Sequence, residues 1–515
     1  MKKRAIIGAG VLALAIVLTG ARSGAQLQPA GWRTSQYLES IRENPMLLMD
    51  FLYRMPKGGD LHHHLTGAVY AESYIQYAVE DGLCIDQQSE IFPPPCDASK
   101  GQLPAADALT NFPFRNQVID AWSIRYYVPT VNDPSVRLHF FTAFAKFNPV
   151  VNRHWGEMFA EVTERAGLEH EIYLETMLTP DQGEAAELGR RVGWSDDLPA
   201  LRQKMLAAGM DKVVADARHN LDVGEKGMRQ ILGCGTPQAE AGCGVTLRFI
   251  NQVLRAFPKD QVYAQMIAGF ELASQDPRVV GINLVESQDE YRALHDFDLH
   301  MKMLDYLHGV YPKVHISLHA GELTPGEVMP EEFLASHIRK SIDIGHAERI
   351  GHGIDVLYEQ DAPGLLAQMA RQHILVECAI HGYQVVRQIP NNENPYAIYS
   401  RAGVPLSLAT DDEGVARTDL TDAFRTAVVD FHVRYPELKT LVRNSLDYAF
   451  VPGASLWTSR DQKAMVTPCA GQALHAVPDS SACRDFLAAS EKASLEWKEE
   501  VAFSEFEESI ASGRK

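Results

Sequence analysis

The sequence predicts an α/β protein built as a (β/α)8 (TIM) barrel, with an inserted loop and helical segment after the first strand and a helical C-terminal extension. Two observations predict the barrel. Eight short apolar runs recur along the 515 residues, and most are separated by amphipathic stretches of helical period. Histidines and carboxylates gather where those runs stop, which is where a barrel of this kind holds its active site.

In chain order, Lys2, Lys3 and Arg4 precede an apolar run over residues 5–18 and the small residues Ser23, Gly24 and Ala25. This layout predicts a signal peptide over residues 1–25 and export to the periplasm or extracellular space. The run is shorter than the ~20 residues a spanning helix needs, and no cysteine follows it closely enough for a lipid anchor. Residues 26–54 read as helical, with apolar Leu38, Ile41, Leu47 and Phe51 and a break at Asn44-Pro45. The barrel is expected over residues 55–453, its strands at 60–65, 170–177, 245–253, 279–285, 314–319, 349–354, 374–380 and 405–410. Amphipathic stretches at 206–221, 294–311, 333–344 and 365–371 supply helices between them. Residues 82–138, with Pro93-Pro94-Pro95 and the aromatics Trp122, Tyr126 and Tyr127, read as an insertion that covers a pocket or forms a dimer contact. The extension, residues 454–515, ends in an acidic helix over 494–510, expected to be solvated.

Composition narrows the partners. The formal charge is −19 and grows more negative once Lys2, Lys3, Arg4 and Arg22 leave with the signal. Nucleic acid and anionic membranes are therefore disfavoured, and a neutral small molecule fits best. Cys84 and Cys96, Cys234 and Cys243, and Cys469 and Cys483 bracket short loop-like segments, while Cys378 lies inside an apolar run. In an exported chain this pattern predicts three loop-stapling disulfides and one buried thiol. No Cys-x-x-Cys occurs that would favour a cysteine metal site.

The chemistry lies at the strand ends. In Asp60-Leu61-His62-His63-His64-Leu65 an extended backbone puts His62 and His64 on one face and His63 on the other, so two imidazoles can clamp one metal ion. Ser317-Leu318-His319-Ala320-Gly321-Glu322 ends the fifth strand with an imidazole and a carboxylate three residues apart. His352 stands in Gly351-His352-Gly353 after the sixth, and Asp411-Asp412 follows the eighth. Three imidazoles and a carboxylate suit one Zn2+ per chain, with a water completing the shell. Bound zinc lowers that water's pKa to about 7, His352 can relay its proton, and Glu322 in a dry site can stay protonated and act as a donor.

In this order, Met55-Pro56-Lys57-Gly58 before His-x-His, then His-Ala-Gly-Glu, Arg-Ile-Gly-His-Gly and Thr-Asp-Asp resemble the adenosine deaminase family, most closely its secreted, growth-factor-type branch. The resemblance runs over residues 55–453. It implies zinc held by His62, His64, His319 and Asp411. Glu322 would protonate purine N1, His352 would handle the attacking water, and Asp412 would hydrogen-bond N7. The implied reaction turns adenosine, or its 2′-deoxy analogue, into inosine and ammonia.

Two positions depart from the family. Thr66 stands where many members carry an aspartate that contacts the ribose, and Glu286 stands where a glycine presents its backbone N–H to purine N3. Trp155 and its neighbours at 152–154, His381 and Tyr383 are the candidates for the sugar end. The fourth strand has no lysine to bridge two metals, so a mononuclear site is expected. The competing readings are a deaminase of another aminopurine nucleoside or related heterocycle on the same barrel, or a catalytically silent nucleoside-binding protein. A homodimer stays open.

Overall fold

The structure, a computed structural model, describes residues 29–513. The signal peptide expected over residues 1–25 lies outside them. Eight parallel strands form one sheet in sequence order: β1 (Gly58–His64), β2 (Glu171–Leu178), β3 (Thr246–Leu254), β4 (Val279–Val285), β5 (His315–Ala320), β6 (Arg349–His352), β7 (Leu375–Cys378) and β8 (Leu406–Leu408). Each begins or ends within a few residues of its expected place. Both faces are covered and every residue of β1, β2 and β4 is buried; β4 accordingly reads as a nearly unbroken apolar run, whereas β1 carries Asp60 and its histidines inside.

Closure is made by the functional segment itself. Asp411 N donates to His62 O at 2.9 Å and His64 N to Asp411 O at 3.0 Å, a parallel bridge between the end of β1 and the turn after β8. Asp60 fastens the same seam from beneath. Its carboxylate accepts Thr410 N at 2.9 Å, Thr410 Oγ1 at 2.6 Å and His62 N at 2.9 Å. The two ends of the sequence motif series are thereby one wall of the barrel.

Between β1 and β2 the chain forms α1 (Ala71–Glu80), a small three-stranded antiparallel sheet centred on Cys84–Ile85, then α2 (Val136–Val151) and α3 (Trp155–Leu168). The three cysteine pairs are disulfides as expected, Cys84–Cys96, Cys234–Cys243 and Cys469–Cys483, and Cys378 is a buried free thiol. Three disulfides fit an oxidising compartment. Among the described residues no helix is long and apolar enough to cross a membrane.

One expectation fails. The acidic C-terminal helix, α4 (Glu491–Ala511), is not a solvated rod; Leu495, Trp497, Val501, Phe503 and Phe506 are buried, and so are Glu496, Glu499 and Glu500. It packs with the helix Ala30–Ile41 and with Tyr435–Asp447, so carboxylates that looked solvent-facing are sealed under the barrel. Arg443 takes Glu500 in a fork at 2.6 and 2.7 Å, which is how one of those charges is tolerated inside.

Candidate active site

At the C-terminal mouth of the barrel, His62, His64, His319, His352, Asp411, Asp412 and Glu322 converge. One donor atom each from His62, His319, His352 and Asp411 lies within 4.8 Å of the others, and His64, Asp411 and Asp412 form an overlapping group. His64 Nε2 is 3.1 Å from His319 Nε2 and 3.4 Å from Asp411 Oδ1, while His62 Nε2 is 3.6 Å from the same oxygen. His63 points the other way, to Thr176 Oγ1 at 2.8 Å.

The site fits a metal ion on the chemistry of its supports. His62 Nδ1–H donates to Glu377 Oε2 at 2.7 Å, and its buried Nε2 has no hydrogen-bond partner. Asn283 Oδ1 accepts both the backbone N–H of His319 at 3.0 Å and its Nδ1–H at 2.9 Å, which turns Nε2 inward in the same way. Fixing the remote nitrogen is how proteins aim imidazoles at metals. Burial holds His319 well below the usual imidazole range and His64 down at about 4, so both stay neutral, as ligands must. Burial acts to lower His62 too, but Asp411 and Glu377 prevail and push it up to about 10: positive charge is favoured between those carboxylates.

Behind Glu377 the support continues inward. Its Oε1 meets Ser317 Oγ at 2.9 Å and Arg349 Nε at 2.7 Å, and Arg349 reaches on to Glu175 at 2.5 Å. Two glycines make room for the ring and the carboxyl. A Cβ on Gly351 would lie 2.5 Å from His62 Cε1, and one on Gly67 would lie 1.6 Å from Asp412 Oδ1. Asp411 and His352 themselves sit at φ 66° and 73°, a left-handed backbone that non-glycine residues enter at a cost and that recurs at functional sites.

The remaining groups are set for proton work. Burial, then the charge of Asp411, holds the Asp412 carboxyl well above its usual range, so Asp412 keeps its proton and can donate it in a hydrogen bond. Burial also holds His352 below the ordinary imidazole range against the pull of Glu322, which leaves it neutral and able to accept a proton. Glu322 departs from expectation. Burial pushes its carboxyl up, but Arg387, forming an ion pair with it, together with His352 at 3.9 Å, brings it below the usual range. The carboxyl is ionised in this structure rather than holding a resident proton.

A cavity of about 910 Å³ opens from these groups. Phe140, Phe141 and Phe144 of α2 form its apolar wall, and Thr66, Trp155 and Glu286 line it as well. Trp155 is buried and its indole Nε1–H has no hydrogen-bond partner. Glu286, at φ 77°, turns its carboxylate back onto Ala256 N at 2.7 Å, so the bulk and charge expected in the base pocket are partly folded away; burial pushes it up to about 6. Tyr383 and Asn152 line the cavity, and Tyr383 OH also donates to His352 O at 3.2 Å. His381 faces Asp422 at 3.7 Å instead, and His154 is buried beside Asp81.

Sequence reasoning missed Glu377, Asn283 and Arg387. The first two carried a signal, each a lone polar residue inside a buried apolar strand. Arg387 carried none.

Comparison with known proteins follows the same lines. A family model described as adenosine deaminase matches residues 215–458, a span that includes His319, Glu322, His352, Asp411 and Asp412. The adenosine deaminase of Vibrio vulnificus (strain YJ016) is 26% identical over 223 residues, 43% of this chain and 61% of the relative. That of Enterococcus faecalis is 30% identical over 137 residues, 26% of this chain and 37% of the relative. The chain thus spans about three-fifths or less of the curated relatives it matches. Among solved structures, a zinc-bound amidohydrolase from Burkholderia ambifaria aligns with TM-score 0.51 and 18% identity over 78% of this chain and 88% of that one. Arabidopsis ADAL in complex with IMP aligns with TM-score 0.51 and 20% identity over 78% and 94%. At these identities the likeness is one of fold.

Proposed function

The chain belongs to the adenosine deaminase family of metal-dependent hydrolases, and from that premise we propose that it hydrolyses the 6-amino group of adenosine, or of a closely related aminopurine nucleoside, releasing inosine and ammonia outside the cytoplasm. The observation that carries the reading is the convergence of seven strand-end groups, two of which, His62 and His319, have their remote nitrogens already fixed by Glu377 and Asn283. His62, His64, His319 and Asp411 would hold zinc. When bound, that ion supplies a Lewis acid and makes water a nucleophile near neutral pH.

The chain's own groups do the rest. Asp412 donates to N7 and Glu322 delivers a proton to N1, which together draw electron density from C6. Neutral His352 accepts the proton of the attacking water as the new C–O bond forms at C6. The C6–N bond then breaks as the C6 hydroxyl becomes a carbonyl, with the His352 proton returned to the leaving nitrogen as ammonia departs and the hydroxyl proton passing back to Glu322. Glu322 must gain its proton as substrate displaces water and loosens the grip of Arg387. Trp155, which lines the cavity, is our candidate for a sugar contact.

A nucleoside suits the cavity better than a nucleotide. Arg387 is the one Lys or Arg among the described residues lining it, and its guanidinium is engaged with Glu322 and with Glu327 Oε1 at 2.8 Å. Thr66 and Glu286 leave room for a second reading, a different aminopurine nucleoside. Loss of adenosine absorbance with purified protein, abolished by a chelator and restored by zinc, is the expected result. No loss on adenosine with turnover of another aminopurine would select the second reading, and no turnover on any would refute both. Glu322→Gln should keep the metal and the fold while turnover falls by about 10²–10⁴-fold.

A further inference from the structure

Outside the barrel mouth, a second cluster lies where α1 meets α3. Glu80 closes α1, His154 is the residue before α3, and Glu157 lies one turn into α3. One donor atom from each falls within 4.8 Å of the others. His154 is only 6% exposed, yet neither of its ring nitrogens has a hydrogen-bond partner. Tyr77 stacks on the ring at 4.4 Å, so the imidazole is held in place.

Its two nitrogens face different carboxylates. Nε2 is 3.4 Å from Asp81 Oδ2, itself buried and without a hydrogen-bond partner, and Nδ1 is 3.7 Å from Glu157 Oε1. The Asp81 contact repeats the logic of Glu377 on His62: a carboxylate beside one nitrogen leaves the other available to a metal. Charge points the same way. Glu80, Asp81 and Glu157 bring three negative charges, and Arg153, 3.4 Å from Asp81 with a largely exposed side chain, brings one positive charge. A net excess of two is what a divalent ion neutralises.

We propose that Glu80, His154 and Glu157, with Asp81 orienting the imidazole, form a second divalent-cation site of nitrogen and oxygen donors, suited to Zn2+ or Mn2+. It is more open than the barrel site, since Glu80 is exposed and the Glu157 side chain is 42% exposed. The ion there exchanges faster than the one in the barrel. Its consequence reaches the cavity, because Trp155 follows His154 directly and a cation would pin the start of α3.

The test is metal stoichiometry of the full chain after saturation with zinc and removal of free ion. Two zinc per chain are expected in the wild type, with one leaving first under graded chelation. Glu157→Gln and His154→Gln should each retain one, and Asp411→Asn should lose the other. Glu157 is exposed enough for its variant to keep the wild-type melting temperature, which guards against misfolding in the His154 variant. One zinc per chain in the saturated wild type would overturn the proposal. Two zinc retained in Glu157→Gln would overturn it equally.

Discussion

Glu322 shares its carboxylate with a guanidinium that reaches it from a turn well outside the strand-end motifs. Arg387 is almost fully buried, and it joins Glu322 to Glu327, which Arg137 of α2 also contacts at 3.0 Å. A buried opposite charge favours the ionised carboxyl by about 1–3 pKa units, which opposes the protonated form that N1 requires. Replacing Arg387 with glutamine removes that charge, so the Glu322 pKa rises. Activity that needs the protonated acid is lost as pH climbs through its pKa, and the alkaline limb of kcat/KM should therefore move to higher pH by about a unit or more. A pH–rate profile measures this directly. An alkaline limb that stays in place or moves down would remove Arg387 from control of the proton.

At the scale of elements, β7 aims β1. Glu377 on β7 orients His62 on β1 across the barrel interior, and Ser317 on β5 and Arg349 on β6 hold Glu377 in turn. Glu377→Gln keeps the shape but weakens the acceptor on Nδ1–H, and zinc affinity should fall about 10–100-fold, read by chelator competition. The eight strands and the groups at their ends were readable in the sequence because each property is local: a strand such as β4 is a nearly continuous apolar run, and alternation assigns His62 and His64 of β1 to one face. What was not readable is what arrives from elsewhere. Arg387 comes from the turn beyond helix Ile380–Val385, and α2 brings its phenylalanines from the far side of the insertion. The left-handed backbones of His352 and Asp411 have no glycine to announce them. For α4, charge misled because the partners that bury it, Arg443 and the helix Ala30–Ile41 among them, lie far outside the helix in sequence.

Across the whole molecule, the floor of the barrel is closed by α4, and Glu499 is the residue that reports it. Both of its carboxylate oxygens are buried without a side-chain partner, near the start of β1, and burial pushes the carboxyl up to about 8, with Glu500 adding and Lys57 opposing. The folded pKa is raised above the ordinary value of 4.5, so the protonated group is at no disadvantage in acid. Above that value the unfolded chain releases the proton while the folded chain retains it, and stability is lost progressively until pH passes about 8. Each unit is worth about 1.4 kcal/mol, so the loss at pH 8 is on the order of a few kcal/mol. Glu499→Gln removes the titration and keeps the volume. Its melting temperature should match the wild type near pH 4 and exceed it by a widening margin up to pH 8, measured by calorimetry across that range. An advantage that stayed constant with pH would mean that Glu499 is solvated and that α4 does not seal the barrel as described.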